Sequence, residues 1–178
     1  YDSETVGMLN VSPDGEWLIW SKRSYSDLGG DRAHSVVEIL KLDSKQVAYR
    51  FQAMSPRNIA WRADSEALVF LHQSSLYELN TNTWALSELA SDLGDIRSIE
   101  YLSDDELILT WHKAEKKPHE YTKRYRAVED RWSYWRGNLQ IHKFDMNSGL
   151  FKQVSKNKLS SSLLDVDTKS RLAIIARS

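Results

Sequence analysis

Cations, carboxylates and aromatic rings crowd together between Lys113 and Gly137 of this 178-residue chain. The densest part is Glu129-Asp130-Arg131-Trp132, with Trp135 and Arg136 just beyond. A guanidinium fork donates two parallel hydrogen bonds to an oxygen acceptor. It also stacks on an indole face. The same residues therefore suit either a polar ligand or a self-contained cluster in which the carboxylates neutralise the arginines. The cations from Lys113 to Arg126 alternate with aromatics, a pattern that single-stranded nucleic acid exploits. Four acidic residues, Glu115, Glu120, Glu129 and Asp130, lie within the segment from Lys113 to Gly137, and the whole chain carries a net charge of −1. A solvated loop is the better reading, and no nucleic-acid partner is expected.

Other reactive residue types are present without the spacing that chemistry needs. His34, His72, His112, His119 and His142 include no pair four apart, and HExxH is absent. His72 and His112 fall at nearly the same phase of a repeat described below, so they would lie at similar depth in different units. Asp27 and Asp31 flank Gly29-Gly30 without the alternating carboxylates of a calcium loop. Among seven glycines there is no Gly-x-Ser-x-Gly elbow to present a strained serine. Cysteine is absent, so neither a disulfide frame nor a thiolate zinc site can form. That absence suits cytoplasm and periplasm alike. No apolar run reaches the ~18 residues that span a bilayer, and no membrane partner, cofactor or metal is expected.

The elements that would carry these residues are legible in a repeated phrase. Leu9-x-Val11-Ser-Pro-Asp-Gly-x-Trp17-Leu-Ile19 returns as Ile59-x-Trp61-Arg-Ala-Asp-Ser-x-Ala67-Leu-Val69. It returns again from Ile99 to Leu109 and, more weakly, from Leu164 to Ile174. Each copy reads as a strand, a polar turn and a more apolar strand. Asp14, Asp64 and Asp104 recur at the turn, where a carboxylate bonds its own backbone. A second hairpin follows, as in Val36–Leu42, the turn Asp43-Ser-Lys45 and Gln46–Phe51. Strand-only repeats of roughly 40 to 50 residues indicate β-propeller blades, which bury their faces only by stacking. The aromatics Trp17, Trp20, Trp61, Phe70, Tyr101 and Trp111 fall inside strands and are assigned to packing between sheets.

The expected fold is all-β, a partial β-propeller of about three and a half four-stranded antiparallel blades. The expected boundaries are about 1–51, 52–92, 93–155 with an insertion at 113–137, and the start of a fourth blade at about 156–178. Three and a half blades leave sheet edges open, which invites self-association. We therefore expect the first part of a longer propeller.

Ser12-Pro-Asp-Gly15 and its following strand resemble the opening blade of prolyl oligopeptidase-type serine peptidases. Arg131-Trp-Ser-Tyr-Trp135-Arg-Gly137, running into Leu139 to Asp145, is similar to an Arg- and Trp-bearing segment in the acylaminoacyl and dipeptidyl aminopeptidase branch. The resemblance implies a propeller that gates access of short peptides to a downstream α/β-hydrolase domain. It implies substrate contact for Glu129, Asp130, Arg131, Trp132, Trp135 and Arg136, with arginine on a peptide carbonyl and a carboxylate on the free α-amino group. It also implies that this chain, lacking the nucleophile elbow, has no catalytic residue of its own. The Ser-Pro-Asp-Gly turn also occurs in TolB-like propellers, so a free-standing protein-interaction module is the alternative. A half-ring that pairs with its own copy is a third.

Overall fold

A computed structural model describes residues 3–25, 34–51, 57–112, 139–156 and 160–177, and every regular element among them is a strand. The first sheet is a meander of β1 (Ser3–Val11), β2 (Trp17–Tyr25), β3 (His34–Lys41) and β4 (Gln46–Phe51). The second contains β5 (Arg57–Trp61), β6 (Ala67–His72), β7 (Ser75–Asn80) and β8 (Leu86–Ala90). The third contains β9 (Asp95–Ser103), β10 (Glu106–His112), β11 (Gln140–Asp145) and β12 (Leu150–Gln153). β13 (Ser161–Asp167) and β14 (Leu172–Arg177) form a two-stranded hairpin. All pairings are antiparallel and join neighbours in sequence. Four antiparallel sheets of four, four, four and two strands make a partial β-propeller. The chain divides into two compact units, Tyr1–Ser91 and Asp92–Ser178.

In the first unit, side chains alternate across each strand and give every sheet two faces. Ile19, Val37, Ile39 and Phe51 of the first sheet form one core with Trp61, Leu68, Phe70 and Leu79 of the second. Aromatic rings tie this core together. Phe51 meets Phe70 edge-on at 4.8 Å, Trp84 stacks on Tyr49 at 5.5 Å, and Trp17 abuts Trp84 at 5.4 Å. Burying a side chain of this size stabilises by roughly 1.5–3 kcal/mol. The opposite face of the first sheet is apolar too, yet Val6, Leu9, Val11 and Val47 are more than 40% exposed there. On that face Lys22 lies over the Trp20 ring at 4.5 Å, and Arg50 pairs with the buried Glu38.

The repeated phrase closes its turn in the same way in the first two sheets. Ser12 N–H and Arg62 N–H donate to the carbonyls of Trp17 and Ala67. Asp14 and Asp64 each accept from the amide two residues on, at 2.9 Å. Partial burial pushes both carboxyls up, but hydrogen bonds from Ser12 and Glu16 hold Asp14 below its ordinary value, and those from Arg62 and Glu66 hold Asp64 there. Gly15 has φ +74° and Ser65 takes the same place at +65°. Ser65 also accepts from Asp14 N–H at 3.1 Å, linking the two turns.

The third phrase departs from the expected alignment by one residue. Val11 pairs with Leu18 and Trp61 with Leu68, but Tyr101 pairs with Leu107 across a connection one residue shorter. Leu107 therefore corresponds to Leu18, not to Trp17. Asp104 and Asp105 are the turn residues between the paired Ser103 and Glu106.

Every first strand of a sheet carries a bulge or irregularity in its pairing: β1 at Gly7-Met8, β5 at Asn58-Ile59, β9 at Arg97 and again at Leu102, β13 at Leu164. A bulge adds twist and leaves a backbone group without its ladder partner. In β1 the Met8 amide donates instead to Ser21 Oγ at 2.8 Å. Gly7 makes this possible, because a Cβ there would stand 2.5 Å from the same oxygen.

In the second unit, Leu107, Leu109, Tyr101, Ile99 and Phe144 line one face of the third sheet and are buried. The opposite face receives the β13–β14 hairpin. Thr110, 1% exposed, accepts from Ser98 Oγ at 2.9 Å and from the Leu163 amide at 3.1 Å. Ser161 N–H donates to the Leu139 carbonyl at 2.8 Å. At the turn end, Glu106 holds Lys143 of its own sheet and Arg171 of the hairpin. Leu164, Leu172 and Ile174 of the hairpin are 60% exposed or more.

Two outcomes follow from this packing. Phe70→Ala should lose about 3–5 kcal/mol of unfolding free energy in urea titration, because both sheets of the first unit lose a shared ring. Thr110→Val keeps the shape but removes the buried acceptor of the Leu163 amide. It should cost about 1–3 kcal/mol and accelerate hydrogen exchange at Leu163, whereas Thr110→Ser should restore most of both.

Candidate functional site

The segment carrying Glu129, Asp130, Arg131, Trp132, Trp135 and Arg136 lies outside the described residues. Its attachment is described. Trp111 pairs with Gln140, so residues 113–138 leave from the end of β10 and return at the start of β11. The second sheet makes the same connection in two residues, Gln73 and Ser74, between the paired His72 and Ser75. The surplus therefore hangs from a β-hairpin position, where a sheet needs only a short loop.

The base of that hairpin is a polar network set among aromatic rings. His142 is buried, and its Nδ1 lies 3.2 Å from the Gln140 carbonyl. The Trp111 ring meets His142 edge-on at 5.1 Å and Phe151 at the same distance. Gln140 Oε1 accepts from Ser155 Oγ at 2.7 Å, and Ser155 Oγ accepts from the Ile141 amide at 2.8 Å. Gln153 Nε2 donates to the Ser155 carbonyl at 2.8 Å. These contacts fix the direction of β11 as it takes up the returning chain. Among the described residues the Ser155 hydroxyl of this network donates to an amide oxygen, that of Gln140.

His72 packs near Tyr77 in the first unit, with ring centroids 6.5 Å apart, while His112 ends β10 in the second. His34 lies in β3, and His119 falls outside the described residues. Among the described residues no group of three or more His, Asp or Glu could hold a metal ion. No described helix is long and apolar enough to cross a membrane. Asp27, Asp31 and the glycines between them lie outside the described residues.

Sequence reasoning missed two carboxylates of the third sheet. Glu100 lies on β9, on the face that receives the hairpin, and keeps solvent contact. Desolvation and then the Asp165 charge raise the Glu100 carboxyl above its ordinary value. Glu106 shows the opposite shift. Hydrogen bonds from Lys143 and Arg171 outweigh its desolvation and hold it below its ordinary value. The two residues belong to one seam, between the third sheet and the hairpin.

No family model and no curated protein matches the sequence. Solved structures do match in fold. Pyrococcus horikoshii acylaminoacyl peptidase superposes with a TM-score of 0.64 at 12% identity, over 91% of this chain and 26% of that one. The β-propeller domain of the trilobed protease from Pyrococcus furiosus, titled as having an open velcro topology, matches with a TM-score of 0.58 at 13% identity, over 90% of this chain and 45% of that one. Tricorn protease matches with a TM-score of 0.64 at 9% identity, over 95% of this chain and 20% of that one. This chain thus spans about a quarter of the acylaminoacyl peptidase chain. At such identities the likeness establishes a shared fold, that of part of a β-propeller, and no more.

Proposed function

We propose that this chain is the substrate-gating propeller portion of a prolyl oligopeptidase-type serine peptidase, in the acylaminoacyl and dipeptidyl aminopeptidase branch. Peptide-bond hydrolysis would be carried out by an α/β-hydrolase domain downstream in the parent protein. The observation that carries this reading is the fold shared with peptidase chains over nine tenths of this chain, against 26% of the acylaminoacyl peptidase chain and 20% of the tricorn chain. Uncovered apolar faces on the first sheet and on the hairpin support it, because a propeller blade stays soluble only when neighbours cover it. In an isolated chain the same faces suit a second copy.

In this reading the segment 113–137 contacts the substrate. Arg131 and Arg136 bind a peptide carbonyl through the guanidinium fork. Glu129 or Asp130 pairs with the free α-amino group, and Trp132 and Trp135 shape the contact. The propeller admits short peptides and contributes no nucleophile.

The coding sequence that follows Ser178 and the intact protein provide the test. Further blades and a Gly-x-Ser-x-Gly segment are expected, together with hydrolysis of short peptide substrates by the intact protein and none by the 178-residue piece. Arg131→Ala and Arg136→Ala in the intact enzyme should lower kcat/KM about tenfold or more, as loss of a charged hydrogen bond requires. A gene that ends after the propeller, without a hydrolase region, would support the interaction-module reading instead.

A further inference from the structure

The core of the first unit shows which two kinds of sheet face fit together. The first sheet contributes Ile19, Val37, Ile39 and Phe51, and the second contributes Trp61, Leu68, Phe70 and Leu79. Strand pairing puts the two sheets in phase. Val11 pairs with Leu18 and Leu18 with Leu40, as Trp61 pairs with Leu68 and Leu68 with Leu79. Val11, Leu18, Trp20 and Leu40 are therefore the first sheet's counterpart of the second sheet's contacting face. In the second sheet those four positions are 9% exposed or less. In the first sheet Val11 is 52% exposed and Leu18, Trp20 and Leu40 are half-buried, with Leu9 and Val47 exposed beside them. Among the described residues that face is left uncovered, although its counterpart is covered by a face of the Ile19 kind.

The β13–β14 hairpin carries the matching kind. Val166 pairs with Ala173, which puts Ala173 in phase with Leu18 and Ile174 in phase with Ile19. Leu172 and Ile174 share a face, as Trp17 and Ile19 do, and are 65% and 60% exposed. Asp167 and Asp165 stand beside them in register. The first sheet's uncovered face answers these anions with Lys22, which lies over the Trp20 ring at 4.5 Å, while its Glu38 is already paired with Arg50. We infer that the chain associates head to tail with a second copy of itself. The Leu172 and Ile174 face of one copy's hairpin lies on the Val11, Leu18, Trp20 and Leu40 face of the other copy's first sheet. The packing inside the first unit is thereby repeated between two chains. The contact is heterologous, because the two faces differ. Contact between like faces would bring together surfaces of the same sign. The hairpin brings two strands where the first unit's interface draws on a four-stranded sheet, so less area is buried. The association is correspondingly weak, in the class of contacts below about 1,200 Å² that form and part readily.

The test needs only the 178-residue chain, so its outcome is separate from that of the peptidase reading. Sedimentation equilibrium from about 10 μM to about 1 mM should show the mass rising with concentration above that of one chain. Over the same range the methyl NMR signals of Val11, Leu18, Leu172 and Ile174 should shift together, a readout that needs no substitution. Two double variants each block one face at exposed positions: Leu9→Lys with Val11→Lys on the first sheet, and Leu172→Lys with Ile174→Lys on the hairpin. Each alone should weaken association about tenfold or more, with a far-ultraviolet circular dichroism spectrum like that of the wild type. Mixed one to one, the two variants should associate again, because one supplies an intact hairpin face and the other an intact first-sheet face. Pairing through like faces predicts the reverse: one variant would associate alone as the wild type does, and mixing would restore nothing. That result, or a wild-type chain that keeps the mass of one chain throughout the range, overturns the inference.

Discussion

A four-stranded sheet of this length has two faces, and alternation along its strands places apolar side chains on both. Water cannot be kept from either face by the sheet itself. Ile19, Val37 and Ile39 become buried because Leu68, Phe70 and Trp61 of a second sheet lie against them. Everything else in the structure is arranged around this need. The short polar turns bring consecutive strands back without spending residues. The bulges of the first strands add local twist, and side chains such as Ser21 satisfy the backbone groups that the bulges free. Where no second sheet is present, apolar residues stay exposed, as on the outer face of the first sheet and on the hairpin.

The same constraint explains which parts of the fold could be read in the chain. The phrase from Leu9 to Ile19 repeats because each sheet must present the same strand, turn and strand to its neighbours. Its β-hairpins appeared in order, and Gln46–Phe51 matches β4 to the residue. The register of the third phrase was misread because a turn of Asp104 and Asp105 looks like the others in composition. Only pairing reveals that it is one residue shorter, and the slip changes which side chains share a face. Ser65 at positive φ was equally hidden, since serine gives no warning of the conformation that glycine at Gly15 announces.

Legibility of the site was poorer, for a different reason. The segment from Glu129 to Arg136 stood out by composition, and composition says nothing about where a loop of that length goes. The seam groups were invisible for the opposite cause. Thr110 and Glu106 are ordinary residues in ordinary strands. Their significance lies in partners on the hairpin: the Leu163 amide lies 53 residues from Thr110, and Arg171 lies 65 residues from Glu106. No periodic pattern records contacts of that kind.

The two units solve the covering problem with different chemistry. The interface between the first and second sheets is a ladder of aromatic and branched side chains, joined at its rim by the Asp14 to Ser65 bond. Apolar burial of this kind is insensitive to pH and to direction of approach. The interface between the third sheet and the hairpin also uses a buried threonine and a clamped glutamate. Such groups are stable only in one geometry, and leaving any of them unpaired is costly. A seam built this way closes to a defined position.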